Sequence, residues 1–464
     1  MSAPILWVLL PGLAGAALLL VRNRHPWPGV ISGGLSAALA LAAVFLQPGE
    51  AFGIGPLQMT IGTTLTVFGR RFVFLAGDSG LLALIYGVAA LWFFGGLALR
   101  APGRFYPLGL MMTALLVAAL AVEPFLYAAL LVEMAVLVSI PLLAEPDRRP
   151  GFGLLRYLIF QSLGMPFVLL AGWMLGSVEV IPERELLFRQ ASVLLGLGFS
   201  FWLAVFPFYT WVPLLVEESR PYLAGFAVSM LTTVVLFMMA DFINGFTWLR
   251  GNAGMYQVLQ IAGAVMVVVA GVSAAFSRKL QRLFGHVLIA ENGFALLAMS
   301  LRSQAGMEIF ATGLLPRLMT LALFALGMGI LTNRNVRLDL PDLQGLARRF
   351  PVSAGVLVLA VFSFGGLPLL GSFPVRQGLY ELLAGQNVNL VFAVLASTAG
   401  FLLAGFRMLA AFIVGGSGGE AEAEGDLERL MLLAGTLCLV LIGLLPGPML
   451  RGLLQVLLAF PNLR

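Results

Sequence analysis

Hydrophobic runs dominate this chain, and most have the length of a bilayer crossing. Apolar stretches of about 17 to 25 residues alternate with short polar breaks, and a helix of that length spans a hydrocarbon core while satisfying its own backbone groups. The pattern predicts about fourteen spanning helices, at residues 5–21, 29–46, 80–98, 106–122, 124–144, 154–178, 191–212, 221–241, 255–276, 281–301, 306–331, 352–373, 387–414 and 430–446. Between the second and third, residues 52–74 alternate apolar and polar side chains with glycines, which predicts an extended hairpin on the membrane surface. Residues 449–460 read as a short interfacial helix.

Two of the predicted helices are interrupted. The stretch Phe199-Ser-Phe-Trp-Leu-Ala-Val-Phe-Pro-Phe-Tyr-Thr-Trp-Val-Pro213 is broken at Pro207 and again at Pro213. About 160 residues later, Leu359-Ala-Val-Phe-Ser-Phe-Gly-Gly-Leu-Pro-Leu-Leu-Gly-Ser-Phe-Pro374 carries Pro368 and Pro374 at the same spacing. Matched broken helices predict a duplicated transporter-like fold.

Composition narrows this to an all-α polytopic membrane protein: 464 residues are 60% hydrophobic and 11% charged, with a mean hydropathy of +1.00. The first apolar run has no preceding basic residue and no small-residue cleavage site, so it reads as a first span and not as a cleaved signal. Cys438 is the single cysteine, which excludes a disulfide framework or thiolate metal site within the chain. The net charge of +5, in which Lys279 is the one lysine, reports topology and does not imply nucleic acid.

Basic residues collect in alternate loops, at Arg22 and Arg24, Arg100 and Arg104, Arg148, Arg149 and Arg156, Arg220, Arg278 to Arg282, and Arg334 to Arg349. The positive-inside rule makes these loops cytoplasmic and puts both termini outside. The loop at 179–189 is glutamate-rich, and the acidic Gly/Ala/Glu segment at 415–428 reads as a disordered connector.

A charge near the bilayer centre costs at least a few kcal/mol, so each one needs a reason. The candidates are Glu133, His286, Glu291, Arg317, Arg376 and Arg407, with Glu123, Glu308 and Glu381 near span ends. Glu133, mid-span among apolar residues, is either a carboxylate paired for packing or one that exchanges protons. His286 and Glu291 lie five apart, over a turn and on somewhat different faces, and read as relay groups or, for His286, as a hydrogen-bonded interior residue. One histidine and one glutamate are too few ligands for zinc, so no metal site is expected. Arg317 and Arg376 stay protonated; they either set a neighbour's proton affinity or act as fixed counter-charges.

These residues resemble a known family, the antiporter-like subunits of respiratory complex I (NADH-quinone oxidoreductase), shared with Mrp antiporters and group-4 hydrogenases. Phe206-Pro-Phe-Tyr-Thr-Trp-Val-Pro213 resembles the family's Phe-Pro-Phe-His-Thr-Trp-Leu-Pro stretch in its broken seventh helix. Lys279-Leu-Gln-Arg-Leu-Phe-Gly-His-Val-Leu-Ile-Ala-Glu-Asn-Gly-Phe294 resembles the tenth-helix stretch, and its Glu-Asn-Gly is closer to hydrogenase-type members. Arg156-Tyr157, Gly366-Leu-Pro-Leu-Leu-Gly-Ser-Phe373 and Phe406-Arg407 also match.

The resemblance implies two inverted five-helix repeats, about 106–241 and 255–414, within a single domain over 1–464. It also implies a proton pathway built on a fifth-helix glutamate and on lysines of the seventh, eighth and twelfth helices. Glu133 falls on that glutamate and Arg376 on the twelfth-helix lysine. The other two lysine positions are substituted, by Trp202 and about Thr232; Glu291 stands for the tenth-helix histidine, and Arg317 falls where the eleventh helix often has histidine. Tryptophan and threonine carry no proton and arginine hardly releases one, so a lysine relay cannot run here.

Two readings follow. One is a membrane-arm subunit taking part in proton translocation through Glu133, His286, Glu291 and water; the other is a non-conducting structural subunit. A stand-alone transporter has no organised substrate site to support it. No nucleotide loop, iron–sulfur cysteines or haem pair occurs, so no cofactor is expected in this chain and redox chemistry belongs to partner membrane subunits. A bacterial or archaeal cytoplasmic membrane is the expected location.

Overall fold

The computed structural model describes residues 2–49, 51–54, 57–145, 149–176, 184–415 and 424–463. Arg148, residues 179–183 of the glutamate-rich loop and residues 416–423 of the expected connector lie outside the described residues.

The chain is a bundle of apolar helices. Its first half runs through α1 (Leu10–Leu18), α2 (Trp27–Phe45), α3 (Ser79–Ala98), α4 (Phe105–Ala121), α5 (Ala128–Leu143), α6 (Phe152–Gly176), α7 (Arg184–Trp202), α8 (Trp211–Glu218) and α9 (Pro221–Gly245). The second half follows as α10 (Thr247–Gly251), α11 (Ala253–Phe276), α12 (Leu280–Ser300), α13 (Gln304–Asn333), α14 (Leu346–Arg349), α15 (Pro351–Phe364), α16 (Phe373–Ala384), α17 (Val388–Ile413), α18 (Asp426–Leu444) and α19 (Pro446–Arg451).

By length and composition, 10 helices among the described residues are able to cross a membrane. Four shorter apolar helices, Ile5–Val21, Phe105–Ala121, Leu186–Trp202 and Pro351–Phe364, lie where the sequence pattern puts the first, fourth, seventh and twelfth spans. The protein is therefore an integral, polytopic membrane protein; a count of fourteen depends on taking those four as crossings as well.

Helix α9 is the axis of the bundle, buried continuously from Pro221 to Ala240. It is apolar on all sides, as a helix enclosed by other helices must be. At its start Tyr222 donates to the Trp92 carbonyl at 2.6 Å, and Trp92, Phe93, Phe105 and Phe226 close around it in edge-to-face and tilted contacts. Glycines set the closest helix approaches elsewhere: a Cβ at Gly285 on α12 would lie 2.5 Å from the Cα of Pro213 on α8.

The extended segment after α2 forms two hairpins, not one. Strands β1 (Ala51–Ile54) and β2 (Leu57–Thr60) pair with each other, and β3 (Thr64–Val67) pairs with β4 (Arg70–Val73), which also takes β5 (Val122–Glu123). Phe68 and Gly69 turn the second hairpin, both with positive φ, as a two-residue loop between right-twisted strands requires. The C-terminal segment packs one face against the bundle. Val456, Leu457 and Phe460 are buried, Phe460 stacks on Phe237 of α9, and Asn462 bonds to Asn244.

The two broken helices are α7–α8 and α15–α16, and their breaks are built alike. The amide of Val205 donates to the Ser200 carbonyl at 2.9 Å, and the amide of Leu367 donates to the Phe362 carbonyl at 3.0 Å. The residue before each donor, Ala204 at φ 56° and Gly366 at φ 69°, is left-handed. Both helices thus end in the same Schellman-type cap. Of the four prolines expected to break helices, Pro207 and Pro368 lie in the unwound segments, but Pro213 and Pro374 do not break anything. They sit in the first turns of α8 and α16, where a missing N–H and a fixed φ suit a helix start.

Candidate functional site

Beside the second break, α12, α13 and α16 bring Glu291, Arg317 and Arg376 onto one cavity of about 50 Å³, which Phe294, Pro316 and Ser372 also line. All three charged side chains are buried, Glu291 at 6%, Arg317 at 3% and Arg376 at 5% exposure. Arg376 donates from Nη2 to Glu291 Oε1 as a buried ion pair. Its guanidinium also lies 3.6 Å from the centroid of the Phe294 ring, one turn along α12 from Glu291. The stacked ring covers a face of the cation that would otherwise meet lipid-like surroundings.

Arg317 has no carboxylate within ion-pair distance among the described residues. Its Nη2 donates to Asn292 Oδ1 at 2.7 Å and to Thr232 Oγ1 at 3.1 Å. Thr232 falls at a position where the resemblance implies lysine, and Arg317 brings a guanidinium to its hydroxyl from another helix. Asn292 passes the contact on, donating from Nδ2 to the Leu203 carbonyl at 3.0 Å, in the first break. That oxygen belongs to the end of α7, where helical carbonyls have no partner within the helix.

At the first break Trp202, the other position where the resemblance implies lysine, is completely buried. Its indole N–H donates to the Gln161 carbonyl at 3.0 Å, and a Cβ at Gly164 would overlap the ring. Tryptophan therefore fills the space and bonds to a mid-helix carbonyl of α6 without bringing a charge. Gln161 and Ser162 continue the polar line to α5, where Ser162 donates to Glu133 Oε1 at 2.7 Å. The Oε2 of Glu133 is buried and has no hydrogen-bond partner among the described residues. Glu133 itself is half-buried, flanked on α5 by the exposed Leu130, Met134 and Leu137.

His286 stands apart from this line. It is half-buried near the α11–α12 corner, with Nδ1 3.4 Å from Ser277 Oγ, and no hydrogen bond joins it to Glu291 among the described residues. Arg407 donates to the Ala275 carbonyl near the end of α11, a C-terminal capping contact. Glu308 and Glu381 accept from Gln304 and Gln377 one turn away. The described residues include no group of three or more His, Cys, Asp or Glu able to hold a metal.

Asn292, Gln161, Ser162 and Phe294 were not singled out from sequence. Buried polar residues inside apolar runs were the available signal for the first three; nothing in the sequence marks Phe294 as a stacking partner.

Comparison with known proteins gives a consistent result. Residues 180–403 match the family described as "NADH:quinone oxidoreductase/Mrp antiporter, TM". The chain is 28% identical over 483 residues to NADH-quinone oxidoreductase subunit 13 of Thermus thermophilus, covering 99% of this chain and 98% of that protein. Its fold is that of a chain in the membrane-bound sulfane sulfur reductase, an archaeal respiratory membrane complex, with a TM-score of 0.82 at 16% identity over 100% of this chain and 98% of the other. A chain of the Mrp complex from Dietzia sp. aligns with a TM-score of 0.80 at 15% identity, over 99% and 98%. With the matched breaks and the buried charges between them, the chain is similar to the antiporter-like membrane subunits of complex I-type and Mrp-type complexes in sequence over residues 180–403 and in fold over its whole length.

Proposed function

We propose that the chain is a membrane-arm subunit of a complex I-like or hydrogenase-like oxidoreductase, and that it takes part in proton translocation at Glu291. The observation that carries this is the cavity: Glu291 is a buried carboxylate facing, together with two arginines, a space large enough for water. In this reading Glu291 is the group through which a proton passes, and Arg376 and Arg317, which keep theirs, set the field around it. Glu133 serves the other end of the polar line. Its exposed apolar neighbours make a lateral face suited to an adjoining membrane subunit, in keeping with relatives that are parts of multisubunit complexes. Redox chemistry, and any NADH or quinone, belongs to those partners. The similar caps support residues of about 106–241 and 255–414 as the two repeats of one domain.

A second reading, a non-conducting structural subunit, is favoured by one observation: Trp202 fills the first break where a protonatable side chain would be needed. Purified complex in sealed vesicles separates the two. Glu291→Gln and Glu133→Gln are compared with wild type by acidification per electron transferred. Proton translocation predicts a lower ratio for Glu291→Gln at unchanged electron transfer. Equal ratios in wild type and both variants leave the structural reading.

A further inference from the structure

The charges around the cavity do not balance. Two guanidinium groups, both buried, face it together with one carboxylate, which leaves one positive charge in excess inside the bundle. Arginine does not shed its proton to escape this. A net charge in the membrane interior is costly unless something of opposite sign sits beside it.

The hydrogen bonds of both arginines are also incomplete. Nε and Nη1 of Arg317, and Nε and Nη1 of Arg376, are buried and have no hydrogen-bond partner among the described residues. Each arginine uses only Nη2, Arg317 toward Thr232 and Asn292 and Arg376 toward Glu291. Buried donors on charged groups are seldom left unmet. Ser372, at the N-cap of the 12-residue helix α16, lines the same cavity, and its side chain makes no capping bond. The positive end of that helix therefore adds to the field of the arginines.

We propose that this cavity binds a small monovalent anion of halide size between Arg317 and Arg376. The size suffices: the space of about 50 Å³ exceeds the roughly 10–15 Å³ that one water needs on the same kind of measure, so a halide can be accommodated. The charge fits too, since one such anion with ionised Glu291 offsets both arginines. Phe294 leaves the N–H edges of Arg376 free by covering its face, and guanidinium N–H groups in the ring plane suit an anion.

The experiment uses the full chain with its co-purifying subunits in lipid nanodiscs. Sodium chloride or bromide replaces sodium gluconate at constant ionic strength, and the unfolding midpoint Tm is followed. Expected is a saturable rise of about 2 °C or more with halide, and none with the larger gluconate. Arg317→Gln, which keeps a donor for Thr232 and Asn292 but removes the charge, is expected to abolish the rise. Equal Tm in halide and gluconate, or a rise that survives in both Arg317→Gln and Arg376→Gln, overturns the proposal. Should those variants fail to fold, anomalous scattering from unmodified protein at saturating bromide decides: a peak between the arginines supports the site and an empty map refutes it. The readout is occupancy, so its outcome is separate from that of the vesicle assay.

Discussion

Removing Glu291 strands a guanidinium in the protein interior, and the size of that effect follows from the geometry. In Glu291→Ala, without halide in the buffer, the Arg376 charge keeps only the Phe294 ring, a contact already present in the native protein, so nothing new offsets the lost pair. Breaking one side of a buried ion pair costs about 3–5 kcal/mol, and the near-complete burial of both partners puts Glu291→Ala inside that range. Arg376→Met falls near its lower end, about 3 kcal/mol, because Glu291 still shares the cavity with Arg317. With both charges of the pair gone, Glu291→Ala/Arg376→Met strands neither partner, Arg317 keeps its bonds to Thr232 and Asn292, and the cost beyond Arg317's loss of a facing carboxylate drops to that of lost packing, about 1–3 kcal/mol. The double-mutant cycle should therefore give a coupling energy of about 3 kcal/mol or more. Equilibrium unfolding in mixed micelles with increasing SDS measures all four corners. A coupling within about 0.5 kcal/mol of zero would refute the claim that these two side chains depend on each other.

Two further outcomes are expected. Gly164→Ala places a methyl group against the Trp202 indole and should destabilise the protein by about 1–3 kcal/mol, while Gly196→Ala, with nothing within 4 Å, should be neutral or mildly stabilising; thermal unfolding distinguishes them. At the end of α8, beyond the 191–212 span, Glu217 is pushed up by partial burial, but hydrogen bonds and charge from Lys279 and Arg282 outweigh this and hold it below the usual carboxylate range. A depressed folded-state value stabilises above the unfolded value of about 4.3, and that stabilisation is lost as pH falls further through the folded value. Wild type should therefore lose Tm more steeply than Glu217→Gln below about pH 4.3, and parallel curves would remove Glu217 from the explanation.

Much of the architecture was legible because apolar run length and proline spacing are local properties. Both breaks, the hairpin region and the three buried charges of the site can be found by reading along the chain. What joins them cannot. A cation is missing from position 232 in the sequence and present there in space, because Arg317 reaches across from a helix that only tertiary packing brings alongside. His286 shows the converse: it lies five residues from Glu291, yet the helical turn directs it to Ser277 and away from the cavity. Proline identity alone also overstated the breaks, since Pro213 and Pro374 are as well suited to starting a helix as to stopping one.

The paired caps carry an evolutionary consequence. Each break is closed by main-chain hydrogen bonds around a left-handed residue, so the bend persists whatever side chain lies beside it. Position 202 can therefore hold a space-filling tryptophan without disturbing the shape of the break. A scaffold with two such self-supporting breaks lets one carry an inert filler while the other keeps its charges, so side chains at either break can change one substitution at a time.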